Sequence, residues 1–448
     1  MGLAGVVMAA GEGTRMRSRT PKPLHRVCGK EMVRYPVELL RDAGAERVVV
    51  VVSPENREAI EAVLGDSVEY ALQPRRDGTA GAVACCAPLL EGRTERVLVT
   101  GSDTPLVSSD SVRRMLDQHA ASAAKMTILT AASEGKTDLG RVFAEDGRVS
   151  RIVEAIEAAG LPGDAAAEVN SGAYCFDGAW LWDALEEVQP SRSGERYLTE
   201  LAAIASGANR AAIAVRAADP AEALGVNDRI QLSVVEEDMR RRICRRWMLA
   251  GVTITDPASV YIDAGVSIGM DTAILPNTML MGATSIGENC EIGPNSVIRD
   301  TQVGHNCRVT SSALEEAVME DHTDIGPFSH LRPGAYLESG VHIGNYVEVK
   351  ESRFKAGAVM GHFGYAGDAT IGRRVNVGAG MITCNYDGKD KHPTVVEDDA
   401  FIGCDTMLVA PVKVGQGSKT GAGAVVIEDI PPARLAAGVP ATIKRKLD

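Results

Sequence analysis

The 448-residue chain holds 45% apolar and 24% charged residues, nine cysteines and a net charge of −13. That length supports two or three domains with real cores, and the acidic balance argues against bulk nucleic-acid binding. Scattered cysteines, odd in number and without a C-x-x-C pair, argue against a disulfide framework or a zinc knuckle and for a reducing, cytoplasmic setting. There is no signal-peptide pattern and no apolar run long enough to span a bilayer, so no membrane partner is expected.

The first half alternates strand and helix patterns. Gly5-Val6-Val7-Met8 is a short apolar run ending in a glycine loop, Val33 to Ala43 has a helical pattern, and Arg47 to Val52 is a β-branched strand. Arg57 to Leu64 is again helical, and Val97-Leu98-Val99 is a strand that opens into the polar loop Gly101-Ser102-Asp103-Thr104-Pro105. Alternation of this kind predicts an α/β domain with a mostly parallel sheet covered on both faces. Ligands in such sheets bind beyond the carboxyl ends of strands, where both loops fall.

From Asp228 to Ala250, Ile230, Val234 or Val235, Met239, Ile243 and Trp247 recur at roughly helical spacing. This predicts a linker helix, with Arg240, Arg241, Arg242, Arg245 and Arg246 on a solvated face. From Val252 onward the chain counts in sixes. Aliphatic residues recur at Ile286, Ile292 and Ile298, and from Ile325 through Leu331, Leu337 and Ile343 to Val349. They recur again at Ile371 and Val377, then at Ile402, Leu408 and Val414, many of them followed by glycine. A period of six fits a parallel β-helix, in which each short side of a coil sends one aliphatic side chain inward. The count breaks between about Thr301 and Thr323 and around Asp387 to Pro393, and insertions in a solenoid emerge as loops.

The string Met8-Ala9-Ala10-Gly11-Glu12-Gly13-Thr14-Arg15-Met16, followed by Pro21-Lys22-Pro23, carries the first chemistry. A glycine-rich loop after a strand lets backbone N–H groups approach phosphates, and Arg15 and Lys22 add the positive charge that a departing pyrophosphate demands. An ordinary βα turn would account for a lone G-x-G; the full string is far more specific. It resembles the signature G-x-G-T-R-M with P-K of the nucleoside-diphosphate-sugar pyrophosphorylases. Joined to a long hexapeptide region, it resembles the family of bacterial bifunctional N-acetylglucosamine-1-phosphate uridyltransferases / glucosamine-1-phosphate N-acetyltransferases, over almost the whole chain.

The resemblance implies a Rossmann-like nucleotidyltransferase domain over residues 1–228, a linker helix over 229–250 and a left-handed parallel β-helix over 251–448. It also implies UTP and sugar-nucleotide contacts at Met8, Ala9, Ala10, Gly11, Lys22, Gln73, Gly78 and Thr79. Further sugar contacts would fall on Gly140, Glu154, Asn170 and Asn227, with Arg15 and Lys22 in catalytic roles. Magnesium would be held by Asp103 and Asn227. The family usually has glycine immediately before that aspartate, where Ser102 stands here.

In the second half the resemblance implies His362 as general base, with Arg332, Lys350, Tyr365 and Asn376 binding glucosamine 1-phosphate. Acetyl-CoA contacts would be Ala379, Asn385, Tyr386, Cys404 and Ala422, with Lys391 nearby. A sugar ammonium must lose a proton before its nitrogen attacks a thioester, and histidine suits that work. Two departures stand out. The family commonly has serine at the position of Cys404, and an arginine where this chain reads Ala437-Gly438-Val439-Pro440, which leaves Lys444, Arg445 or Lys446 to meet the phosphates of CoA. The implied partners are glucosamine 1-phosphate, acetyl-CoA, UTP and N-acetylglucosamine 1-phosphate, and the implied assembly is a homotrimer. Two other readings exist: a single-function sugar-nucleotide pyrophosphorylase with a structural β-helix, and a non-enzymatic subunit of a translation-initiation exchange factor. His362, Lys350 and Arg332 argue against the first, and Arg15, Lys22, Asp103 and Asn227 against the second.

Overall fold

The computed structural model describes residues 2–132, 139–155, 168–191, 194–207 and 211–447. The chain divides into two compact units, Met1–Met239 and Arg240–Asp448.

The first unit is built on the strand Leu3–Met8, apolar on both faces and buried almost throughout. Ala45–Val52 and Arg96–Gly101 flank it, both parallel to it, as expected of a central strand shielded on both sides. The nine-stranded sheet continues from Arg96–Gly101 through Glu168–Asp177, Met126–Ala132 and Ala212–Arg216. Glu168–Asp177 runs antiparallel to both its neighbours, so the sheet is mixed rather than parallel throughout. Successive residues of each strand feed opposite faces. Val6, Val97, Ile128 and Phe176 belong to one buried cluster, while Val7, Leu98, Leu129 and Cys175 belong to another. The chain leaves Leu3–Met8 to pair on one side at Ala45–Val52 and on the other at Arg96–Gly101. The loops after Met8 and Gly101 therefore flank the point where strand order reverses.

The helix Ser109–Ser122 shows how buried polar groups are satisfied beneath this sheet. Its N-cap Ser108 accepts a hydrogen bond from the Ser111 N–H at 3.2 Å. The buried Glu222 accepts from the Ser108 N–H and the Ser111 hydroxyl, each at 2.9 Å. On the same helix His119 is only 4% exposed, with Nδ1 2.9 Å from Thr127 Oγ1.

A helix does span Arg229–Leu249, but of the apolar positions read from the sequence Val235 and Ile243 are buried while Ile230 and Val234 are exposed, and Arg240 is partly buried rather than on a solvated face; the division between the units falls within this helix. Beyond it the second unit coils through three parallel sheets as a left-handed β-helix. Three hexapeptides complete one coil, so Ile274 stacks on Ile292, and Ile325 on Ile343. Ile325, Leu331, Leu337, Ile343 and Val349 are each at most 1% exposed. Each such burial is worth about 1.5–3 kcal/mol. Small hydroxyl residues fill the inner corners. Thr278 and Thr284 each donate to a corner carbonyl at 2.7 Å, and Cys290 and Cys307 take equivalent buried places. Asn277, Asn295 and Asn306 turn corners with φ between 54° and 57°, a conformation asparagine tolerates. The two breaks in the count differ. Between Thr301 and Thr323 no loop emerges; Val303, Val309, Leu314 and Met319 still point inward, on coils with shortened corners. Around Asp387 to Pro393 a loop does leave the coil, pinned by a bridge between Tyr386 and Lys391. All nine cysteines lie among the described residues and none is bridged.

Burial depresses the His119 pKa to about 4. The unfolded chain then holds more protons than the folded one between pH 4 and 6.5, so stability falls as pH drops through that window. We expect the first unit to lose about 2 kcal/mol between pH 7 and 5 from this residue. His119→Gln should flatten that slope in denaturant titrations; an unchanged slope would contradict it.

Candidate active sites

The loop after Met8 begins a cavity of about 460 Å³ in the first unit. Met8, Ala10, Gly11, Arg15, Lys22, Gln73, Gly78, Thr79, Asp103 and Asn227 all line it, gathering most of the residues expected to meet a nucleotide. Gly13 sits at φ 65°, and a Cβ built there would lie 2.5 Å from Lys22 Cβ. Glycine is needed both for the turn and because the lysine stem packs against the loop.

Lys22 Nζ reaches 2.5 Å from Asp103 Oδ2 and 2.8 Å from Asn227 Oδ1. The two oxygens are set by backbone contacts. The Ser102 N–H donates to the Met8 carbonyl at 3.1 Å, and the Val226 N–H to the Asp103 carbonyl at 2.9 Å. Ser102 is itself buried and ties its loop to the first strand. Steric demand falls on Gly101 instead, where a Cβ would meet Asp103 Oδ1 at 2.5 Å. Two hard oxygen donors thus converge on the Lys22 ammonium. A divalent ion that takes few protein groups and completes its shell with phosphate oxygens and water fits such a pair.

At the far end of the cavity Gln73 is buried. Its Nε2 donates to Asp77 Oδ1 at 2.9 Å and to the Gly78 carbonyl at 3.1 Å. Thr79 Oγ1 accepts from the Leu198 N–H at 2.8 Å. These side chains hold the loop whose backbone faces the cavity. Ala9 does not line it: its N–H bonds Val51 and its carbonyl accepts from Asn56, so it anchors the loop from behind. Gly140, Glu154 and Asn170 come together on one another. The Asn170 N–H donates to the Gly140 carbonyl at 2.8 Å, and Glu154 accepts from Thr199 Oγ1 at 2.6 Å. Asn170 Nδ2 donates to the Tyr174 hydroxyl at 2.6 Å, whose pKa is raised by burial. Sequence reasoning missed Arg76, Glu195 and Tyr197, which also line the cavity. Arg76 is held by Glu12 at 2.8 Å and Glu55 at 3.2 Å; no local pattern announces it.

In the second unit the repeat itself aligns residues. Met360-Gly361-His362, Val377-Gly378-Ala379, Ile402-Gly403-Cys404 and Thr420-Gly421-Ala422 are successive passages through one corner of the coil. Backbone bonds tie the rungs: the Gly380 N–H to the Phe363 carbonyl at 2.7 Å, Asp405 to Ala379 at 2.7 Å, and Gly423 to Cys404 at 2.8 Å. His362, Ala379, Cys404 and Ala422 therefore form a column, with His362 and Cys404 exposed.

On an adjoining sheet His330, Glu348, Tyr365 and Ile382 pair in register. Arg332 Nη1 contacts Glu348 Oε1 at 2.7 Å, which raises the guanidinium pKa. Lys350 pairs with Gly367, and its carbonyl accepts from the Asp368 N–H. Asn385 Nδ2 donates to Asp368 and, at 3.4 Å, to the Tyr365 hydroxyl. The neighbouring Lys350 ammonium lowers the Lys391 pKa. His392 bonds Asp387 at 2.7 Å and holds that carboxyl well below the usual range, which shapes the inserted loop. Tyr386 is 60% exposed on this loop. Asn376 faces outward on the sheet that feeds His362, in register with Val359. The tail residues Lys444, Arg445 and Lys446 lie exposed on the strand Thr442–Lys446, paired with Arg434–Ala437.

Residues 4–221 match the nucleotidyl transferase family, residues 265–300 the bacterial transferase hexapeptide (six repeats), and residues 393–428 the hexapeptide repeat of succinyl-transferase. Fold and sites thus define a nucleotidyltransferase joined to a hexapeptide-repeat transferase. The chain is 44% identical over 428 residues to a bifunctional protein GlmU from Geobacillus sp. (strain WCH70), covering 95% of this chain and 93% of that one. A bifunctional protein GlmU from Exiguobacterium sibiricum is 44% identical over 433 residues, 96% of each chain. Another, from Caldanaerobacter subterraneus subsp. tengcongensis, is 44% identical over 436 residues, 97% of this chain and 94% of that one. The chain belongs to the family of bifunctional GlmU proteins.

Gly78 tests the nucleotide loop. It sits at φ 101°, and an added Cβ would lie 2.3 Å from the Arg196 carbonyl oxygen. Gly78→Ala should cost about 2–4 kcal/mol of stability or displace the loop. The expected result is a KM for the nucleotide raised at least about tenfold with kcat changed less. Wild-type KM in a fully folded variant would refute the assignment of this loop to nucleotide binding.

Proposed function

We propose that the second unit transfers acetyl from acetyl-CoA to glucosamine 1-phosphate, and that the first unit transfers UMP from UTP to the N-acetylglucosamine 1-phosphate so formed. The products are CoA, pyrophosphate and UDP-N-acetylglucosamine, a precursor for peptidoglycan. The observation that carries the acetyl half is the column of His362, Ala379, Cys404 and Ala422 at one corner, beside a cluster of cations on the adjoining sheet.

Arg332 and Lys350 hold the sugar phosphate. Lys350 sits close enough to Lys391 to disfavour the Lys391 charge, and a phosphate between them relieves that repulsion. Tyr365 and Asn376 orient the sugar. Its ammonium sheds one proton to solvent; the amine attacks the thioester carbonyl as His362 takes the second proton. The C–N bond forms, the C–S bond breaks, and His362 returns its proton to the departing sulfur. The small residues Ala379, Cys404 and Ala422 leave room for the acyl donor's arm, with Asn385 and Tyr386 at its side. In the first unit a sugar-phosphate oxygen attacks the α-phosphorus of UTP in line and pyrophosphate leaves. Arg15, Lys22 and the N–H groups around Gly11 neutralise the triphosphate, while Gln73, Gly78 and Thr79 face the base. Gly140, Glu154 and Asn170 receive the sugar. Asp103 and Asn227 hold a magnesium ion, which when bound supplies charge neutralisation at the phosphates. We assign the working form as a cytoplasmic homotrimer. No helix among the described residues is long and apolar enough to cross a membrane.

Supplying glucosamine 1-phosphate and acetyl-CoA should release free CoA. His362→Ala should lower that rate about 10²–10⁴-fold and leave uridylyl transfer to N-acetylglucosamine 1-phosphate unchanged. Loss of both activities in a folded variant would contradict two separate sites.

A further inference from the structure

The geometry assigns Lys22 a second task besides meeting phosphates. Its ammonium contacts Asp103 Oδ2 at 2.5 Å and Asn227 Oδ1 at 2.8 Å, and only 12% of the side chain is exposed. These are the two oxygens to which the reading above gives magnesium, and the inference rests on that reading. An ammonium on these two oxygens competes with a divalent ion for them, because two cations brought to contact distance repel each other.

We propose that Lys22 is the counter-cation of Asp103 and Asn227 whenever no metal is bound, and that metal entry and lysine departure are a single exchange. The stem of Lys22 packs on Gly13 of the phosphate loop, so the pivot of the side chain is fixed beside that loop. When the ammonium leaves Asp103, the groups that replace its partner are the phosphates of the nucleotide. The carboxylate is never left in the cavity without a positive partner, a state that is costly in a partly desolvated site. Metal alone meets oxygens already taken. Polyphosphate draws the lysine away and opens them. By linkage, metal then strengthens nucleotide binding by the same factor.

The probe is Mn²⁺ alone, bound by the full chain without nucleotide and followed by loss of the free ion's paramagnetic resonance signal. Lys22→Met keeps the stem on Gly13 and removes the charge, and should bind Mn²⁺ about tenfold more tightly than the wild type. Lys22→Gln serves if the methionine variant does not fold. Arg15→Gln removes a cation lining the same cavity without vacating the two oxygens, and should stay within about twofold of wild type. Asp103→Ala should lose Mn²⁺ binding. No gain in the Lys22 variants, or an equal gain in Arg15→Gln, overturns the exchange while leaving the metal reading standing. Unchanged Mn²⁺ binding in Asp103→Ala overturns the metal reading and the exchange with it.

Discussion

Ile325, Ile343, Met360 and Val377 stand on one another along one wall of the second unit, and the rest of that unit depends on the stack. The interior admits one aliphatic side chain per short side, with a small residue at the corner. The glycine that follows the aliphatic residue is held by the backbone of the next coil, as at Gly344 and Gly378, while the outward side chains of the short strands are left open to chemistry. Because every coil must return above itself, residues at one corner of successive coils are held in line by rung-to-rung backbone bonds. The column of His362, Ala379, Cys404 and Ala422 follows from that requirement alone. Where an insertion leaves the coil, after Cys384, the core ladder resumes at Thr394–Val396 without loss of register. The chain can therefore add Tyr386 and Lys391 beside the column at little cost to the core.

The first unit solves a different physical problem. Its central strand is buried on both faces, which leaves the loops at its carboxyl end as the place where polar chemistry can reach solvent. Those loops carry opposite charges at contact distance. The Lys22–Asp103–Asn227 contact is partly buried, so it is screened less than a surface pair. It leaves the Asp103 carboxylate compensated in a partly desolvated cavity, with the neutral Asn227 amide oxygen as a second acceptor for the ammonium. Gly13 and Gly101 make this contact possible, since a side chain at either would collide with Lys22 or Asp103.

Much of this was legible in the sequence, and the parts that were not share a cause. The hexapeptide count survives because its period is set by the interior, and Arg57–Leu64 shows its helical spacing without help from tertiary contacts. The antiparallel strand Glu168–Asp177 was not readable, because a strand buried on both faces looks the same whichever way it runs. Between Thr301 and Thr323 the count fails for a reason that pattern cannot reveal: a shortened corner and an inserted loop both break a period of six. Gly140, Glu154 and Asn170 were named through resemblance; the structure brings them together, with Glu154 bonded to Thr199 two residues beyond the cavity-lining Tyr197, a grouping that depends on how distant segments meet.

Cys404 shows how little an apparent departure alters a solenoid site. The position follows Ile402-Gly403, and a Cβ built at Gly378 would come within 2.7 Å of the Cys404 backbone nitrogen. The corner is shaped by main chain, and its side chain points outward to solvent. Cysteine has nearly the size of serine and a weaker donor, so the groove keeps its width and loses at most one good hydrogen bond. Gly438 is a different matter. At φ 103° it lies where the last coil turns into the strand Thr442–Lys446, and its carbonyl accepts from the Val425 N–H. An arginine there would meet an unfavourable backbone, whereas Lys444, Arg445 and Lys446 stand exposed on the strand that this turn produces.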